Sequence, residues 1–293
     1  MKLINDSTAV STFFRSSKGG SILKWWFETR GQTIGGSLKV VCNKSMYILV
    51  KQVCRPPSSG WINSQWHWHR FPFSLRNSIL WSGFLDAWFS PADESAIECM
   101  LRLPNYEPVD WVTPQRDAVF LDIGAYIGSY AILAAKSLGF TGRIIALEPD
   151  KKNRQQLERN LKLNAVANCT VVPCAAWSHS GRIGWREMET PVWHRAELEE
   201  STATVEAVTV DGLVTQHALK RVDWIKMDIE GGEVEALKGA ERTLREFRPA
   251  LFIEIHATAS AVKDLLVPLG YRIDAEVFDE PPDHHGWFLA RPQ

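Results

Sequence analysis

Residues 118–128, Ala-Val-Phe-Leu-Asp-Ile-Gly-Ala-Tyr-Ile-Gly, join a short apolar run to a glycine-containing loop. The apolar part predicts a strand buried on both faces, and residues 129–138 after the loop predict a helix. Glycines at such a turn let the backbone bend sharply and come close to a ligand. The loop is also compatible with a tight turn that binds nothing, because one glycine loop is a weak signal.

The rest of the C-terminal part repeats this alternation of strands and helices. We predict strands at 143–148, 169–174, 222–228 and 250–256, and helices at 150–163 (with Asp150 as N-cap), 233–247 and 259–269. Segments 182–186 and 203–210 suggest an antiparallel excursion, and short strands near 271–274 and 286–290 complete the sheet. The predicted fold is α/β, a doubly wound, Rossmann-like and mostly parallel seven-stranded sheet.

The N-terminal part has a different character. We predict a loose terminus over residues 1–20 and a tryptophan-rich extension or cap over residues 21–104. The α/β domain is predicted to cover residues 105–293. Residues 77–89 suggest a short amphipathic helix, and residues 93–98 a helix start. The Trp-His-Trp-His run at 66–69 is open to a sugar-binding or metal-binding interpretation, but a packed cap is favoured because tryptophan is mostly buried.

Charge and cysteine content limit the possible partners and the compartment. The net charge is −1, so no overall field favours a nucleic acid or an anionic membrane. Five irregularly spaced cysteines without a Cys-x-x-Cys pair argue against a disulfide framework or a zinc site. We find no apolar run long enough to span a membrane, and Asp6 with several Ser and Thr occupies the place of a signal-peptide centre. We therefore expect a cytoplasmic protein.

Glu148 indicates which kind of ligand the glycine loop binds. It ends the second predicted strand, 20 residues after Gly128, where an acid can take both hydroxyls of a ribose. A dinucleotide site would need a Gly-x-Gly-x-x-Gly loop for the pyrophosphate, whereas Ala125, Tyr126 and Ile127 fill the interval here. Tyr126 would crowd a diphosphate, so an adenosine ligand without phosphates, such as S-adenosylmethionine, fits better. Asp122 is placed to meet its amino-acid end.

A second cluster of polar residues follows the later strands. Lys226, Asp228 and Glu230 alternate to one side of the fourth strand, and Glu254 and His256 do so on the fifth. If these strands are neighbours, their ends converge, and His256 or an acid can act as general base. An ion-paired cluster that only orders loops is the alternative. Asp228, Glu230 and His256 could ligate a metal, but no tight spacing requires it, and we predict none.

Several motifs, taken together and in order, resemble the FkbM family of methyltransferases over roughly residues 105–275. They are Phe120–Gly128, Ala146–Pro149, Asn160, Asn164, Ile225–Glu233, Leu237–Ala240, Arg248-Pro249 and Ile253–His256. The resemblance implies a class I, S-adenosylmethionine-dependent enzyme that methylates hydroxyl oxygens. It also implies that Asp122, Gly124 and Gly128 line the methionine end, that Glu148 binds the ribose, and that Asp228 and Glu230 lie beside the transfer site. Tyr126 replaces the family's usual asparagine, which leaves the pocket's shape open.

The predicted sites follow from these observations. The cofactor set is Asp122, Gly124, Ala125, Tyr126, Gly128, Glu148, Pro149 and Ala175, with Trp177 near the adenine, and the catalytic set is Lys226, Asp228, Glu230 and His256. We expect O-methylation of a small molecule, a glycan or a lipid-linked acceptor. A nucleotide-dependent oxidoreductase and a catalytically silent cofactor-binding module are the alternatives, and the sequence leaves the oligomeric state and the acceptor open.

Overall fold

The computed structural model describes residues 29–31, 79–82, 86–90, 107–186, 195–197, 203–278 and 284–293. The chain forms two compact units, residues 1–101 and 102–293. In the first unit, strands β1 (Thr29–Gly31), β2 (Leu80–Ser82) and β3 (Ala87–Phe89) pair antiparallel in that order. The run at 66–69 and the helix start at 93–98 lie outside the described residues.

The helix predicted over 77–89 is wrong where the structure describes that segment. Residues 80–82 and 87–89 form β2 and β3 instead. In β2, Leu80 and Ser82 are buried and Trp81 between them is half-buried. Burial that alternates every second residue is the pattern of a strand, not of a helix with a period of 3.6.

The second unit contains the predicted α/β sheet. In chain order its elements are β4 (Val119–Ile123), α1 (Ser129–Leu138), β5 (Arg143–Leu147), α2 (Lys151–Leu163), β6 (Cys169–Val172), β7 (Ala175–Ala176), β8 (Gly181–Arg186), β9 (Arg195–Glu197), β10 (Ala203–Val208), α3 (Val210–Gln216), β11 (Trp224–Met227), α4 (Glu233–Lys238), α5 (Glu241–Glu246), β12 (Ala250–His256), α6 (Ala259–Leu266), β13 (Tyr271–Phe278) and β14 (His285–Pro292).

Seven of these strands form one sheet in the order β13-β14-β12-β11-β4-β5-β6. The strands pair in parallel from β12 to β6, and β14 runs antiparallel to both of its neighbours. The chain proceeds from β4 outward to β6 and then returns to β11 on the other side of β4. The strand order therefore reverses between β4 and β11, which is where ligands bind in open α/β sheets. The predicted fold class is confirmed.

Local sequence explains the elements that lead to this reversal. All five residues of β4 are buried, as expected of a central parallel strand covered on both faces. Asp150 caps α2 as predicted, because its carboxylate accepts hydrogen bonds from the backbone N–H groups of Lys152 and Asn153, each at 2.8 Å. The antiparallel excursion is also confirmed, and it forms a separate sheet in the order β7-β10-β8-β9.

The helix predicted over 233–247 is interrupted, and α4 and α5 replace it. A Cβ at Gly239 would lie 2.1 Å from the carbonyl oxygen of Trp177, so the chain packs too closely there for a side chain. Asp211, from α3, then caps α5 by accepting hydrogen bonds from the N–H groups of Arg242 and Thr243. Neither contact is local in sequence, and α3 itself was not predicted.

Other boundaries also differ from the predictions. Strand β6 ends at Val172 instead of residue 174, and β11 covers Trp224–Met227 instead of residues 222–228. Helix α6 ends at Leu266, and the predicted last turn is a 3₁₀ turn, Val267–Leu269, that contains Pro268. Strands β13 and β14 each have eight residues and are longer than predicted. Among the described residues, no helix has the length and apolar character needed to span a bilayer.

Candidate active site

A pocket opens at the carboxyl ends of β4, β5 and β11, at the reversal of strand order. Its empty volume, which is open to solvent, is about 610 Å³. Loops after all three strands contribute to it, together with residues of the small sheet. It is lined by Gly124, Tyr126, Leu147, Glu148, Pro149, Asn153, Cys174, Ala175, Ala176, Trp177, Trp185, Asp228, Ile229, Glu230 and Gly232.

The glycine loop lies close against the loop that follows β11. Gly124 has φ +76°, and a Cβ there would lie 1.8 Å from the carbonyl oxygen of Asp228. Only glycine allows the loops after β4 and β11 to approach this closely. Gly128, with φ +90°, caps the start of α1, and Ala125 is buried with its N–H bonded to the Leu147 carbonyl. Gly124 lines the pocket, whereas Gly128 and Ala125 shape the loop from behind.

Tyr126 combines a lining role with a backbone role. Its φ of +47° places it in the left-handed region, which is costly for a residue other than glycine. This conformation directs its backbone N–H to the Glu148 Oε2 atom at 2.9 Å. Tyr126 is also one of the residues that line the pocket. Tyrosine at this position therefore contributes to the pocket wall while the loop keeps its contact with Glu148.

Glu148 is a buried carboxylate that faces the pocket. It is 5% exposed, and its Oε1 atom accepts hydrogen bonds from the Asp150 N–H at 2.9 Å and the Asn153 side-chain amide at 3.4 Å. Burial raises the pKa of Glu148 to about 7, although these hydrogen bonds and that of Tyr126 oppose the shift. Three donors thus hold an acid that can also accept hydrogen bonds from a ribose. Pro149 lines the pocket next to it.

Asp122 and Lys226 lie behind the glycine loop rather than on the pocket surface. Asp122 is wholly buried, and neither of its carboxylate oxygens has a hydrogen-bond partner among the described residues. The Lys226 ammonium lies 3.6 Å from Asp122 and 3.5 Å from Asp228, and it donates a hydrogen bond to the Gly124 carbonyl at 2.8 Å. Burial raises the pKa of Asp122, and Lys226 opposes this shift. Lys226 therefore ties the two loops together.

The predicted acidic residues converge at one end of the pocket, because β11 and β12 are neighbours in the sheet. Asp228 and Glu230 line the pocket, and His256 lies next to them with its Nε2 atom 3.4 Å from a Glu230 oxygen. Glu230 has φ +55° in the turn after β11, where a residue other than glycine is strained. The structure thus brings three of the four predicted catalytic residues to one place, with Lys226 beneath them.

Burial and mutual repulsion set the charges in this cluster. Burial raises the pKa of Glu230 to about 7, and Asp228 adds to the shift while His256 opposes it. Burial alone would lower the pKa of His256, but its hydrogen bond with Glu233 and the charge of Glu230 raise that pKa to about 10. His256 is therefore cationic at neutral pH and Glu230 is poised to exchange a proton.

Sequence reasoning did not identify Glu107, Tyr130 or His285. The Tyr130 hydroxyl donates to Glu107 at 2.6 Å, and the Tyr130 ring lies 5.1 Å from the Lys226 ammonium. His285 Nε2 lies 2.7 Å from Glu254. Glu107 precedes β4 and His285 begins β14, away from the carboxyl ends of the parallel strands, so no local motif marks them. Trp185 of β8 was missed for the same reason, whereas Ala175 and Trp177 line the pocket as expected.

Within the part of the chain that the structure describes, two groups of side chains have ligand atoms within 4.8 Å of one another, a spacing that a divalent cation could bridge. They are Asp228, Glu230 and His256, and Glu254, His256 and His285. In both groups the imidazole nitrogens already face carboxylate oxygens at hydrogen-bond or ion-pair distances. We therefore assign none of these side chains as a metal ligand.

The sequence of residues 122–285, more than half of the chain, matches the model of the methyltransferase FkbM domain. The chain belongs to the FkbM methyltransferase family. The domain therefore takes S-adenosylmethionine as its methyl donor, and membership in this family decides against a nucleotide-dependent oxidoreductase.

Individual relatives are more distant. The hexuronic acid methyltransferase AglP of Haloferax volcanii is 28% identical over 147 residues, which are 49% of this chain and 58% of that protein. The chain thus spans little more than half the length of that relative. A methyltransferase FkbM from Methylobacillus flagellatus is 21% identical with a TM-score of 0.45, over 68% of this chain and 55% of that one. Precorrin-6y C5,15-methyltransferase of Geobacter metallireducens is 19% identical with a TM-score of 0.42, over 63% and 84%.

The residues present fit S-adenosylmethionine. Asp122, expected at the methionine end, is instead wholly buried behind the loop, where the Lys226 ammonium lies 3.6 Å from its carboxylate, so the fit rests on the other residues. Gly124 lines the pocket without a side chain of its own, and Glu148 offers a carboxylate for the ribose hydroxyls. Ala175 and Trp177 line the part of the pocket where an adenine can lie.

Proposed function

We propose that this protein transfers a methyl group from S-adenosylmethionine to a hydroxyl oxygen of an uncharged acceptor, namely a small molecule, a glycan or a lipid-linked sugar. The observation that carries the proposal is that Asp228 and Glu230 line the same pocket as Glu148 and Gly124. Groups suited to proton transfer therefore lie within one pocket with groups suited to holding the cofactor. The name of the relative AglP, a hexuronic acid methyltransferase, supports a sugar acceptor, whereas the preference for an uncharged sugar rests on the charges of this chain's own site.

The chain's own residues prepare the acceptor for attack. When bound, the cofactor supplies an electrophilic methyl group. Glu230 is the general base in this proposal, because it lines the pocket and burial raises its pKa to about 7, near the pH at which it must accept a proton. A carboxylate oxygen of Glu230 takes the hydroxyl proton, and Asp228 orients the hydroxyl. The cationic His256 pairs with Glu230, its Nε2 atom 3.4 Å from a carboxylate oxygen.

The charge of the site favours an uncharged acceptor. Burial raises the pKa of Glu107 and Glu230 to about 7 and that of Glu254 to about 8, and the charge of Asp228 adds to each of these shifts, so this end of the pocket already disfavours negative charge. An acceptor with its own carboxylate would add a negative charge beside buried carboxylates, which is unfavourable at low dielectric. Neutral hydroxyl groups, by contrast, can donate hydrogen bonds to these oxygens.

The test is methyl transfer from labelled S-adenosylmethionine to paired acceptors that differ only in charge, such as a hexoside and the matching hexuronide. We expect transfer to a neutral hydroxyl-bearing acceptor and a lower kcat/KM for the uronide. A preference for the uronide would refute the charge argument. Binding of S-adenosylhomocysteine without transfer to any member of a broad acceptor panel would instead indicate a catalytically silent module.

A further inference from the structure

Glu233 is a wholly buried acid beside His256, and it has no role in the methyl transfer proposed above. Its side chain is wholly buried at the start of α4. Its Oε1 atom accepts a hydrogen bond from the Gly231 N–H at 2.9 Å and lies 3.1 Å from His256 Nδ1. Its Oε2 atom accepts one from the Thr258 hydroxyl at 2.9 Å. A buried carboxylate is costly unless it is paired, and here every contact fixes its position.

The contact with Glu233 determines how the His256 ring is oriented. Because Nδ1 faces Glu233, Nε2 is turned towards Glu230 at 3.4 Å and Glu254 at 3.9 Å. A carboxylate that holds one ring nitrogen fixes the tautomer and the direction of the other nitrogen. The same arrangement of an acid behind a histidine orients the base in hydrolase triads.

Other groups face the imidazole, and none of them duplicates this contact. Asp228 acts on His256 through its charge, and the ring of His285 lies 5.3 Å away, centroid to centroid. His285 is itself held by Glu254 at 2.7 Å. Among the described residues, His256 Nδ1 has its hydrogen bond with Glu233.

We infer that Glu233 is a positioning residue for methyl transfer, because it holds His256 Nδ1 and thereby keeps Nε2–H directed at the Glu230 carboxylate. The inference rests on the proposed function, since Glu230 is the base only if the site transfers a methyl group. Glu233 is not among the residues that line the pocket. Its effect reaches the reaction through the ring of His256.

The test compares Glu233→Gln with Glu235→Gln. Glu235 lies on the same helix, pairs with Lys238 and has no contact with His256, so it receives the same chemical change outside the cluster. Two quantities are measured: the ¹⁵N and ¹H NMR signals of the His256 ring in protein labelled at histidine, and kcat with the dissociation constant of S-adenosylhomocysteine. Thr258→Val is a second variant, which loosens Glu233 but keeps its charge.

We expect the wild-type protein to show a protonated, hydrogen-bonded Nδ1 in His256. In Glu233→Gln this signal is altered or lost and kcat falls by roughly 10- to 100-fold, as for other residues that orient a functional histidine. Cofactor-product affinity stays the same. Thr258→Val gives a smaller change in the same direction, and Glu235→Gln changes nothing.

Unchanged His256 signals and unchanged kcat in Glu233→Gln would overturn the inference. A fall in kcat with intact His256 signals would overturn it as well, because the effect would then not pass through the ring. If the wild-type protein transfers no methyl group but loses the His256 signature in Glu233→Gln, the proposed function fails while the orienting contact is supported. The NMR signature therefore separates the two failures.

Discussion

Replacing Glu148 by glutamine changes the group that we expect to hold the cofactor's ribose while keeping its size. In the structure the carboxylate accepts hydrogen bonds from the N–H groups of Tyr126 and Asp150 at 2.9 Å and still faces the pocket. Glutamine has one oxygen in place of two, so its NH₂ group must meet a donor or face the ribose. Either arrangement removes a charged acceptor from the pocket.

The expected loss of affinity follows from the strength of such contacts. A hydrogen bond to a charged group contributes about 1.5–3 kcal/mol, so losing one raises the dissociation constant of S-adenosylhomocysteine by roughly 10- to 150-fold. The pH dependence is a second consequence. Burial raises the pKa of Glu148 to about 7. Since the ionised form binds the hydroxyls, affinity increases with pH, by about tenfold between pH 6 and pH 8.

Isothermal titration with S-adenosylhomocysteine at pH 6, 7 and 8 measures both effects. Glu158→Gln is the control, because Glu158 is exposed on α2 and does not line the pocket. Wild type and Glu158→Gln should bind more tightly as pH rises, whereas Glu148→Gln should bind weakly and with little dependence on pH. Equal affinity of Glu148→Gln and wild type at pH 8 would refute the assignment of Glu148 to the ribose.

Three further predictions concern the loop, the buried charges and the need for a metal. Gly124→Ala should lower the free energy of unfolding by about 2–5 kcal/mol and abolish cofactor binding, because it adds left-handed backbone strain and a Cβ that clashes with Asp228. The control Gly231→Ala should be destabilised only by the backbone strain, because its Cβ would meet nothing within 4 Å. Equal urea-unfolding midpoints for the two variants would contradict this. The free energy of unfolding of the unliganded protein should fall as pH rises from about 5 to 9. The pKa values of Glu148 and Glu254 are raised in the folded state, so unfolding releases protons between about pH 4.5 and 8, and the stability that His256 contributes below about pH 6.5 is lost as pH rises towards 10. A free energy of unfolding that increases over this range in urea titrations would contradict the prediction. Removing divalent cations with EDTA should change the rate of methyl transfer by less than about twofold, because Lys226 and His256 already supply positive charge to the cluster. A large loss of rate that added Mn²⁺ restores would show that a metal takes part.

The sequence was sufficient for the part of the fold that depends on local patterns. Strand β4 is apolar throughout and ends at a glycine loop, and Asp150 has the side chain of an N-cap, so both could be recognised from neighbouring residues. The break between α4 and α5 could not, because it depends on a backbone contact between Gly239 and Trp177, which are 62 residues apart. Segment 77–89 was wrong for a related reason, since its strands require partners elsewhere in the chain.

The candidate site shows the same division. Asp228, Glu230 and His256 were predicted together because strand ends with alternating polar residues meet at one edge of a parallel sheet. Their different roles became visible only from the three-dimensional contacts. Lys226 lies behind the loop, and His256 carries a charge because Glu233 contacts it, which sequence spacing alone does not reveal. Glu107 and His285 join the cluster from segments that carry no motif.

The most direct test of the account is the single-turnover rate of methyl transfer by Glu230→Gln with a neutral hydroxyl-bearing acceptor, measured beside its affinity for S-adenosylhomocysteine. Glu230 lines the pocket and is assigned to take the acceptor's proton. We predict a rate lower by roughly 10²- to 10⁴-fold with cofactor-product affinity unchanged, because glutamine cannot accept that proton. A transfer rate equal to that of the wild-type protein would contradict the central claim that this carboxylate carries the chemistry.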